Sequence, residues 1–285
     1  RSGMADGAAA GPWLRRIEER VNGDGPRRVE LNAVLGAAPR VHLAGPTPPD
    51  AAVAARRAAL LAQYPLNEMH GLCLDWRGQR ERIAVQTCDF AELQARRQLA
   101  RERGVAPPEP LSACGVAPCA SARVLLMQRR SPHSATYPGA LHVFGGAYAA
   151  PEPRGHFSRP GDRDSLDFTL VREVFEECGA LVRPDGVPLL LAQESDTGFV
   201  MLAYLGLRVA RRQLARMQGQ DEGALLRIGF DELPERLRDG AGWTPSARAQ
   251  TLLWLALGAP GAGRAATFAG RPARAAFDHV INSPL

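Results

Sequence analysis

Apolar residues recur with strand or helix spacing along the first hundred residues. The pattern predicts a strand at Arg28–Leu35, an Ala-rich helix at Asp50–Tyr64, a hairpin formed by Leu72–Leu74 and Ile83–Val85, and a helix at Phe90–Arg103. Recurrence every three or four residues favours a helix, and short apolar runs between turn residues favour strands. The N-terminal part of the chain is therefore expected to be an α/β unit.

A proline-rich segment, Gly104–Pro110, follows this unit and has the composition of a linker. Beyond it, the pattern predicts strands at Ala122–Gln128, Leu189–Ala192, Phe199–Leu207 and Leu225–Ile228, and helices after Asp231 and at Thr244–Gly258. Strands interspersed with helices predict a mixed sheet between helices, an α/β fold. The expected units are an N-terminal extension at 4–108 (with Met4 as the native start), a main domain at 109–258 and an irregular C-terminal tail at 259–285.

The segment Asp164–Gly179 is predicted to be an amphipathic helix, with an acidic or hydroxyl cap at its start and glycine at its end. One apolar stripe of this helix is predicted to be buried, and it consists of Phe168, Val171, Phe175 and Cys178. Glutamates at 173, 176 and 177 are spaced by three and four residues, so they share the opposite face.

This acidic face is unfavourable by itself, since like charges at helical spacing cost about 0.2–0.5 kcal/mol per pair. A bound cation removes the repulsion. Three carboxylates without His or Cys nearby favour Mg²⁺ or Mn²⁺ over zinc, and such ions promote the hydrolysis of phosphate linkages. The alternative from spacing alone is an ordinary solvated acidic face.

Composition narrows the range of functions. Arginine supplies all 35 fixed positive side-chain charges against 30 acidic residues, and the absence of lysine excludes a P-loop lysine and a Schiff base. This small excess of charge suits a small anionic ligand, and we expect neither a nucleic-acid partner nor a membrane. Five cysteines without a CxxC pair predict no disulfide framework, which fits a cytoplasmic location.

A longer motif surrounds the predicted helix. Gly146 is followed after five residues by Glu152, and Arg172–Ala180 reads Arg-Glu-Val-Phe-Glu-Glu-Cys-Gly-Ala. This arrangement resembles the Nudix box, Gly-x5-Glu-x7-Arg-Glu-U-x-Glu-Glu-x-Gly-U, where U is aliphatic. The chain departs from it in two ways: 19 residues (153–171) stand where the family has seven, and Phe144 replaces the usual proline.

The resemblance implies a Nudix-type α/β/α sandwich and a metal-dependent hydrolase. It assigns the metal ligands to Glu173, Glu176 and Glu177, with the carbonyl of Gly145, and it makes Arg172 the partner of a nearby carboxylate. The general base in this superfamily is a glutamate of the helix or a carboxylate of a later loop. For the later loop the candidate is Glu222, which is otherwise an ordinary loop residue.

Further features resemble the branch that cleaves UDP-sugars to UMP and a sugar 1-phosphate. They are the long N-terminal extension, the insertion in the box, Tyr137-Pro138-Gly139 and Pro245-Ser246-Ala247. The expected partner is a nucleotide-sugar, and a homodimer is left open. The candidate substrate contacts are Arg129, Arg130, Tyr137 and Phe199, with His133 nearby; Tyr204 is a further aromatic that is more often part of a core.

Two alternatives stay open at this point. One keeps hydrolysis but changes the substrate to ADP-ribose or coenzyme A, since Leu125–Arg130 followed by Gly145-Gly146 partly resembles the coenzyme A branch. The other is a sensor of the same fold that binds a nucleotide without cleaving it. The intact Arg-Glu-x-x-Glu-Glu-x-Gly run argues against the sensor.

Overall fold

The computed structural model describes residues 11–24, 28–44, 48–64, 68–134, 136–149, 165–184, 187–219 and 223–284. Its helices are α1 (Gly11–Asn22), α2 (Ala51–Leu60), α3 (Phe90–Arg103), α4 (Leu166–Cys178), α5 (Arg211–Leu214), α6 (Leu233–Asp239), α7 (Pro245–Ala256) and α8 (Ala273–Asn282). Its strands are β1 (Val29–Leu35), β2 (Arg40–Leu43), β3 (Met69–Asp75), β4 (Arg82–Asp89), β5 (Leu111–Cys119), β6 (Val124–Arg130), β7 (Leu141–His142), β8 (Phe144–Ala147), β9 (Leu189–Glu194), β10 (Val200–Leu205), β11 (Gly223–Gly229), β12 (Thr267–Phe268) and β13 (Arg271–Pro272).

A mixed sheet forms the centre of the molecule. Within the described ranges it has eight strands, six of them in the order β1-β9-β10-β5-β6-β11, while β7 pairs with β6 and β8 pairs with β5. The β10–β5 pair is parallel, and β9 pairs antiparallel with both β1 and β10. The sheet therefore combines both kinds of pairing, as predicted.

Both faces of this sheet are buried. Along Val200–Leu205 the even-numbered side chains belong to one hydrophobic cluster and the odd-numbered ones to another, as the two-residue period of a strand requires. The first cluster includes the inner face of α4, and the second includes residues of α1, α6, α7 and α8. Helices thus cover both faces, which confirms the predicted α/β/α sandwich.

The N-terminal extension contributes to two sheets. A smaller sheet has the order β2-β4-β3, and α2 packs on α3 beside it. In contrast, β1 pairs with β9 of the large sheet, and α1 packs on α7. The boundary at 108/109 stays a prediction, with elements from its N-terminal side built into the main core.

Most predicted elements are present with ends shifted by a few residues. The expectation of an irregular C-terminal tail was wrong, because α8 buries Ala276, Phe277 and Val280 against the helices of the second cluster. Within the described residues, no helix combines the length and the apolar character needed to cross a bilayer.

Candidate active site

The helix α4 has the predicted ends. Ser165 caps it by accepting a hydrogen bond from the Phe168 backbone N–H at 3.1 Å, and Gly179 ends it in the left-handed conformation with φ of 72°. A left-handed residue after the last turn is the common helix stop, and glycine adopts it without a side-chain clash. These two caps fix the start and the end of the helix that carries the glutamates.

The prediction of the buried stripe of α4 was wrong for Phe168 and Phe175, whereas Cys178 is buried as expected. Phe168 and Phe175 are 38% and 53% exposed, whereas the stripe that faces the sheet consists of Leu166, Leu170, Val174 and Cys178. Both stripes have helical spacing, so the periodicity alone could not choose between them. The choice matters because positions 173 and 177 lie beside the Leu166 stripe on a helix of 3.6 residues per turn. Burial of this stripe therefore turns two of the glutamates inward.

A pair of glycines on β8 receives these two glutamates. The Gly145 backbone N–H donates to Glu177 Oε2 at 2.9 Å, and a Cβ on Gly146 would lie 2.0 Å from Glu173 Oε2. Gly145 also has φ of 133°, a conformation that strongly favours glycine. The Glu173 carboxylate thus lies directly against Gly146, whereas at Gly145 a Cβ would collide with the Ala113 carbonyl oxygen of β5 at 2.2 Å.

Arg172 joins two of the glutamates. One guanidinium nitrogen donates to Glu173, and another donates to Glu176 Oε2 at 3.1 Å. The Glu176 side chain is 54% exposed, whereas Glu177 is only 6% exposed. Of the three predicted metal ligands, the structure therefore brings two to the interior and leaves the third at the surface.

The donor chemistry of Glu173 and Glu177 fits a hard divalent ion, since Mg²⁺ and Mn²⁺ prefer carboxylate and carbonyl oxygens. Among the residues that the structure describes, no group of three or more His, Cys, Asp and Glu side chains is placed to hold a metal. The predicted three-carboxylate arrangement is thus not assembled in this conformation, in which Arg172 holds Glu176.

A cavity of about 500 Å³ lies in front of the two inward glutamates. Several predicted site residues line it: Gly145, Glu173, Glu177, Arg130, Tyr137 and Phe199. His133, Gly146 and Glu68 line it as well, the last from the N-terminal extension. Glu222, the loop candidate for the general base, lies outside the described residues, as does Glu152 of the motif.

The two arginines at the end of β6 differ in position. Arg130 lines the cavity, and its side chain donates to the Thr136 carbonyl at 3.0 Å. Arg129 is exposed and turns toward the Gly139 carbonyl, on the other side of the strand. Alternation along a strand allows one of two neighbours to face a given side, and here it is Arg130.

The three aromatic residues considered as substrate contacts differ in their surroundings. The Tyr137 hydroxyl donates to Asp196, and the Arg97 guanidinium lies 5.0 Å from the centre of the Phe199 ring. Tyr204, in contrast, is 1% exposed and donates to Asp167 within the core. Tyr137 and Phe199 both line the cavity, and Tyr204 has the core role expected of it.

Sequence reasoning missed several residues of the cavity wall, above all Glu194 and His142. Glu194 ends the apolar run of β9, and a carboxylate at the end of a buried strand was the signal that could have found it. Burial raises the pKa of Glu194, while hydrogen bonds from Ser246 and Thr197 act in the opposite direction. This carboxyl is thus harder to ionise than an ordinary glutamate.

His142 has the opposite electrostatic setting. Burial, together with the charge of Arg130, lowers the pKa of His142 to about 3. Its Nδ1 lies 3.0 Å from Thr244 Oγ1, at the start of α7. The imidazole is therefore neutral near pH 7 and offers hydrogen bonding without charge.

No protein-family model matches the sequence, and no curated protein matches it. Solved structures similar to the chain include the MutT protein from Methanosarcina mazei Go1, with 14% identity over 50% of this chain and 89% of that protein at a TM-score of 0.33. A NUDIX hydrolase from Alicyclobacillus acidocaldarius has 18% identity over 54% of this chain and 97% of its own, at a TM-score of 0.33.

A third similar structure is a bifunctional NMN adenylyltransferase/ADP ribose pyrophosphatase from Francisella tularensis, in complex with AMP and a Mn ion. It has 11% identity over 57% of this chain and 45% of its own, at a TM-score of 0.36. Identities and TM-scores this low carry no conclusion about function, which depends on the residues of the cavity.

Proposed function

We propose that the chain is a Mg²⁺- or Mn²⁺-dependent hydrolase that cleaves the diphosphate of a nucleoside diphosphate linked to another group. The observation that carries the proposal is the approach of Glu173 and Glu177 to the Gly145–Gly146 backbone at a cavity. These are positions of the resemblance to the Nudix box that lie far apart in the sequence. Their meeting gives that resemblance a spatial basis in this chain.

In this proposal, Glu173, Glu176 and Glu177 hold the metal together with the Gly145 carbonyl. The ion, when bound, neutralises charge on the diphosphate and lowers the pKa of a water molecule. Arg172 fixes the orientation of Glu173 through its hydrogen bond. The general base is one of the helix glutamates or Glu222.

Other residues of the cavity offer contacts for the substrate. Arg130 brings a permanent positive charge for the phosphates, and Phe199 brings an aromatic face for a base. We favour a UDP-sugar, cleaved to UMP and a sugar 1-phosphate. One residue of each short motif behind this preference supports it: Tyr137 lines the cavity, and Ser246 hydrogen-bonds Glu194, which lines it.

A panel of nucleoside diphosphate compounds with Mg²⁺ and Mn²⁺, with the products identified by mass spectrometry, tests the function. It includes UDP-glucose, ADP-ribose and coenzyme A, and it reports the base, the leaving group and the cleaved bond together. Glu177→Gln is expected to reduce turnover by at least about a hundredfold, since it removes a charged group at the reacting centre. Glu232→Gln removes the same charge at the surface and is the matched control.

Turnover of UDP-glucose with loss in Glu177→Gln supports the proposal, while full activity in Glu177→Gln contradicts the assigned metal face. One observation favours the nucleotide sensor as a second candidate: Arg172 holds Glu176 away from the cavity in this conformation. Tight binding of a nucleotide without turnover of any compound, across pH and both metals, would establish that candidate instead.

A further inference from the structure

A third buried carboxylate lines the cavity, apart from the glutamates of α4. Glu194 ends β9 and is 5% exposed, yet it forms part of the cavity wall. This part of the wall is built by the β9–β10 turn and the start of α7, whereas Glu173 and Glu177 come from α4. The Nudix resemblance assigns no role to it.

Both oxygens of Glu194 are held by hydroxyl groups from different elements. Ser246, at the start of α7, donates to Oε1, and Thr197, in the β9–β10 turn, donates to Oε2 at 3.1 Å. The turn is itself fixed, since the Gly198 N–H donates to the Glu194 carbonyl at 2.9 Å. The carboxyl group is therefore preorganised, so less conformational entropy is lost when a ligand binds.

The burial of the Glu194 carboxylate is expected to lower the free energy of unfolding. Burial of a carboxylate is unfavourable unless it is paired, and within the described residues no ion pair joins Glu194 to an arginine or a histidine. A carboxylate with two oxygens has about four acceptor positions. The two hydroxyls and the Ser246 backbone N–H use three of them. One acceptor position is thus left for a ligand, and Glu194 lines the cavity in which that ligand would bind.

The chemistry of that ligand follows from charge and neighbours. The resemblance gives Glu194 no part in holding the metal, and a carboxylate without a metal repels phosphate, so we expect Glu194 to lie away from the diphosphate of a substrate. It faces a group with N–H or O–H donors. Phe199 follows in the same turn and lines the cavity, which gives this region an aromatic face as well as an acceptor. A base or a sugar has both features.

We propose that Glu194 is a specificity-determining residue that accepts a hydrogen bond from an uncharged part of the nucleotide, either a base N–H or a sugar hydroxyl. The inference rests on the proposed function in that the ligand is a nucleotide. It adds a residue that selects the ligand independently of the residues that promote hydrolysis.

Calorimetric titration of wild type and Glu194→Gln with UMP, AMP and inorganic pyrophosphate tests this role. For the nucleotide that wild type prefers, the variant is expected to have a Kd about tenfold to a hundredfold higher, the usual cost of losing a hydrogen bond to a charged group. The Kd of pyrophosphate is expected to stay the same. Glu232→Gln is the matched control for the lost charge, and its affinities should equal those of wild type.

Two analogues identify the donor. In wild type, 3-methyl-UMP loses affinity if Glu194 accepts from the base, and 2′,3′-dideoxy-UMP loses affinity if it accepts from the ribose; in Glu194→Gln that discrimination disappears. Should Glu194→Gln unfold, Ser246→Ala provides the second variant, because it keeps the carboxylate but removes one of its two hydroxyl supports. Its nucleotide affinity is expected to fall several-fold with pyrophosphate unchanged.

An unchanged nucleotide Kd in Glu194→Gln, an equal loss for nucleotide and pyrophosphate, or a wild type that binds no nucleotide would each overturn the inference. A different result would contradict the proposed function. If wild type binds a nucleotide through Glu194 but hydrolyses no compound of the panel, then specificity by Glu194 stands and hydrolysis does not.

Discussion

At the scale of single residues, the site depends on a glycine at position 146, where a side chain would have no room. A Cβ on Gly146 would lie 2.0 Å from Glu173 Oε2, so Gly146→Ala must displace that carboxylate. We expect activity to fall about tenfold to a hundredfold, as for other changes that misplace a ligand. Steady-state kinetics checks this. Gly11→Ala, where a Cβ meets nothing within 4 Å, is the control and should keep full activity.

His142 gives the protein a pH dependence of known sign. Because its pKa is about 3 in the folded protein and about 6.5 when unfolded, the unfolded chain binds more protons between these values. The stability contributed by neutral His142 is therefore complete above pH 6.5. It is lost as the pH falls toward 3, at about 1.4 kcal/mol per pH unit.

Urea unfolding between pH 7 and pH 4 measures this effect. His142→Gln cannot take up the proton, and we expect its loss of stability over this range to be smaller than that of wild type. Equal slopes for wild type and His142→Gln would show that this histidine does not titrate as described.

At the scale of elements, the orientation of α4 decides where the glutamates lie. Leu170 is fully buried and Phe175 is 53% exposed, although the two are equally apolar in the sequence. Leu170→Ala is expected to lower the free energy of unfolding by about 2–5 kcal/mol. Phe175→Ala should change it by no more than about 0.5 kcal/mol. The reverse order in denaturant unfolding would mean that the helix buries its other face.

The elements that the sequence pattern failed to predict have physical reasons. β5 is buried along its whole length but consists largely of small residues around Gly115, so it lacks the β-branched run that marks a strand. α8 lies in an Ala- and Arg-rich region whose few apolar residues are buried only by packing on α6 and α7. In contrast, α4 and α7 carry local caps at Ser165 and Thr244, and these made them predictable.

The candidate site was predictable only where a motif is local. Glu173 and Glu177 lie in one helix at fixed spacing, so the sequence pattern identified them without knowledge of the fold. Glu194 and His142 come from separate strands, and they meet the site only because β9 and β7 end beside α7. A lone carboxylate or imidazole carries no periodic signal, so their roles depended on tertiary structure.

At the scale of the whole molecule, the N-terminal extension is part of the site. Arg97 of α3 donates to the Thr197 carbonyl at 3.2 Å and stacks on Phe199, so it supports the turn that holds Glu194. β1 also pairs with β9, which ends in Glu194. The extension therefore positions the wall of the cavity as well as completing the sheet.

A chain that begins at residue 109 tests this dependence. It lacks β1, which leaves the edge of β9 unpaired, and it lacks α1 with the fully buried Ile17. We expect it to aggregate or to unfold without a cooperative transition, since exposed strand edges pair with other chains. Calorimetry and size-exclusion chromatography check this. A cooperative, monomeric 109–285 fragment that keeps nucleotide affinity would assign the extension no structural part in the site.

The proposed function depends above all on Glu173 and Glu177 being among the ligands of a divalent ion beside the cavity. A crystal grown with Mn²⁺ and measured at the manganese absorption edge tests it most directly. We predict one anomalous peak within coordination distance of both carboxylates, close to Gly145, and its loss in Glu177→Gln. Well-ordered Glu173 and Glu177 side chains with no peak between them, at saturating Mn²⁺, would contradict it.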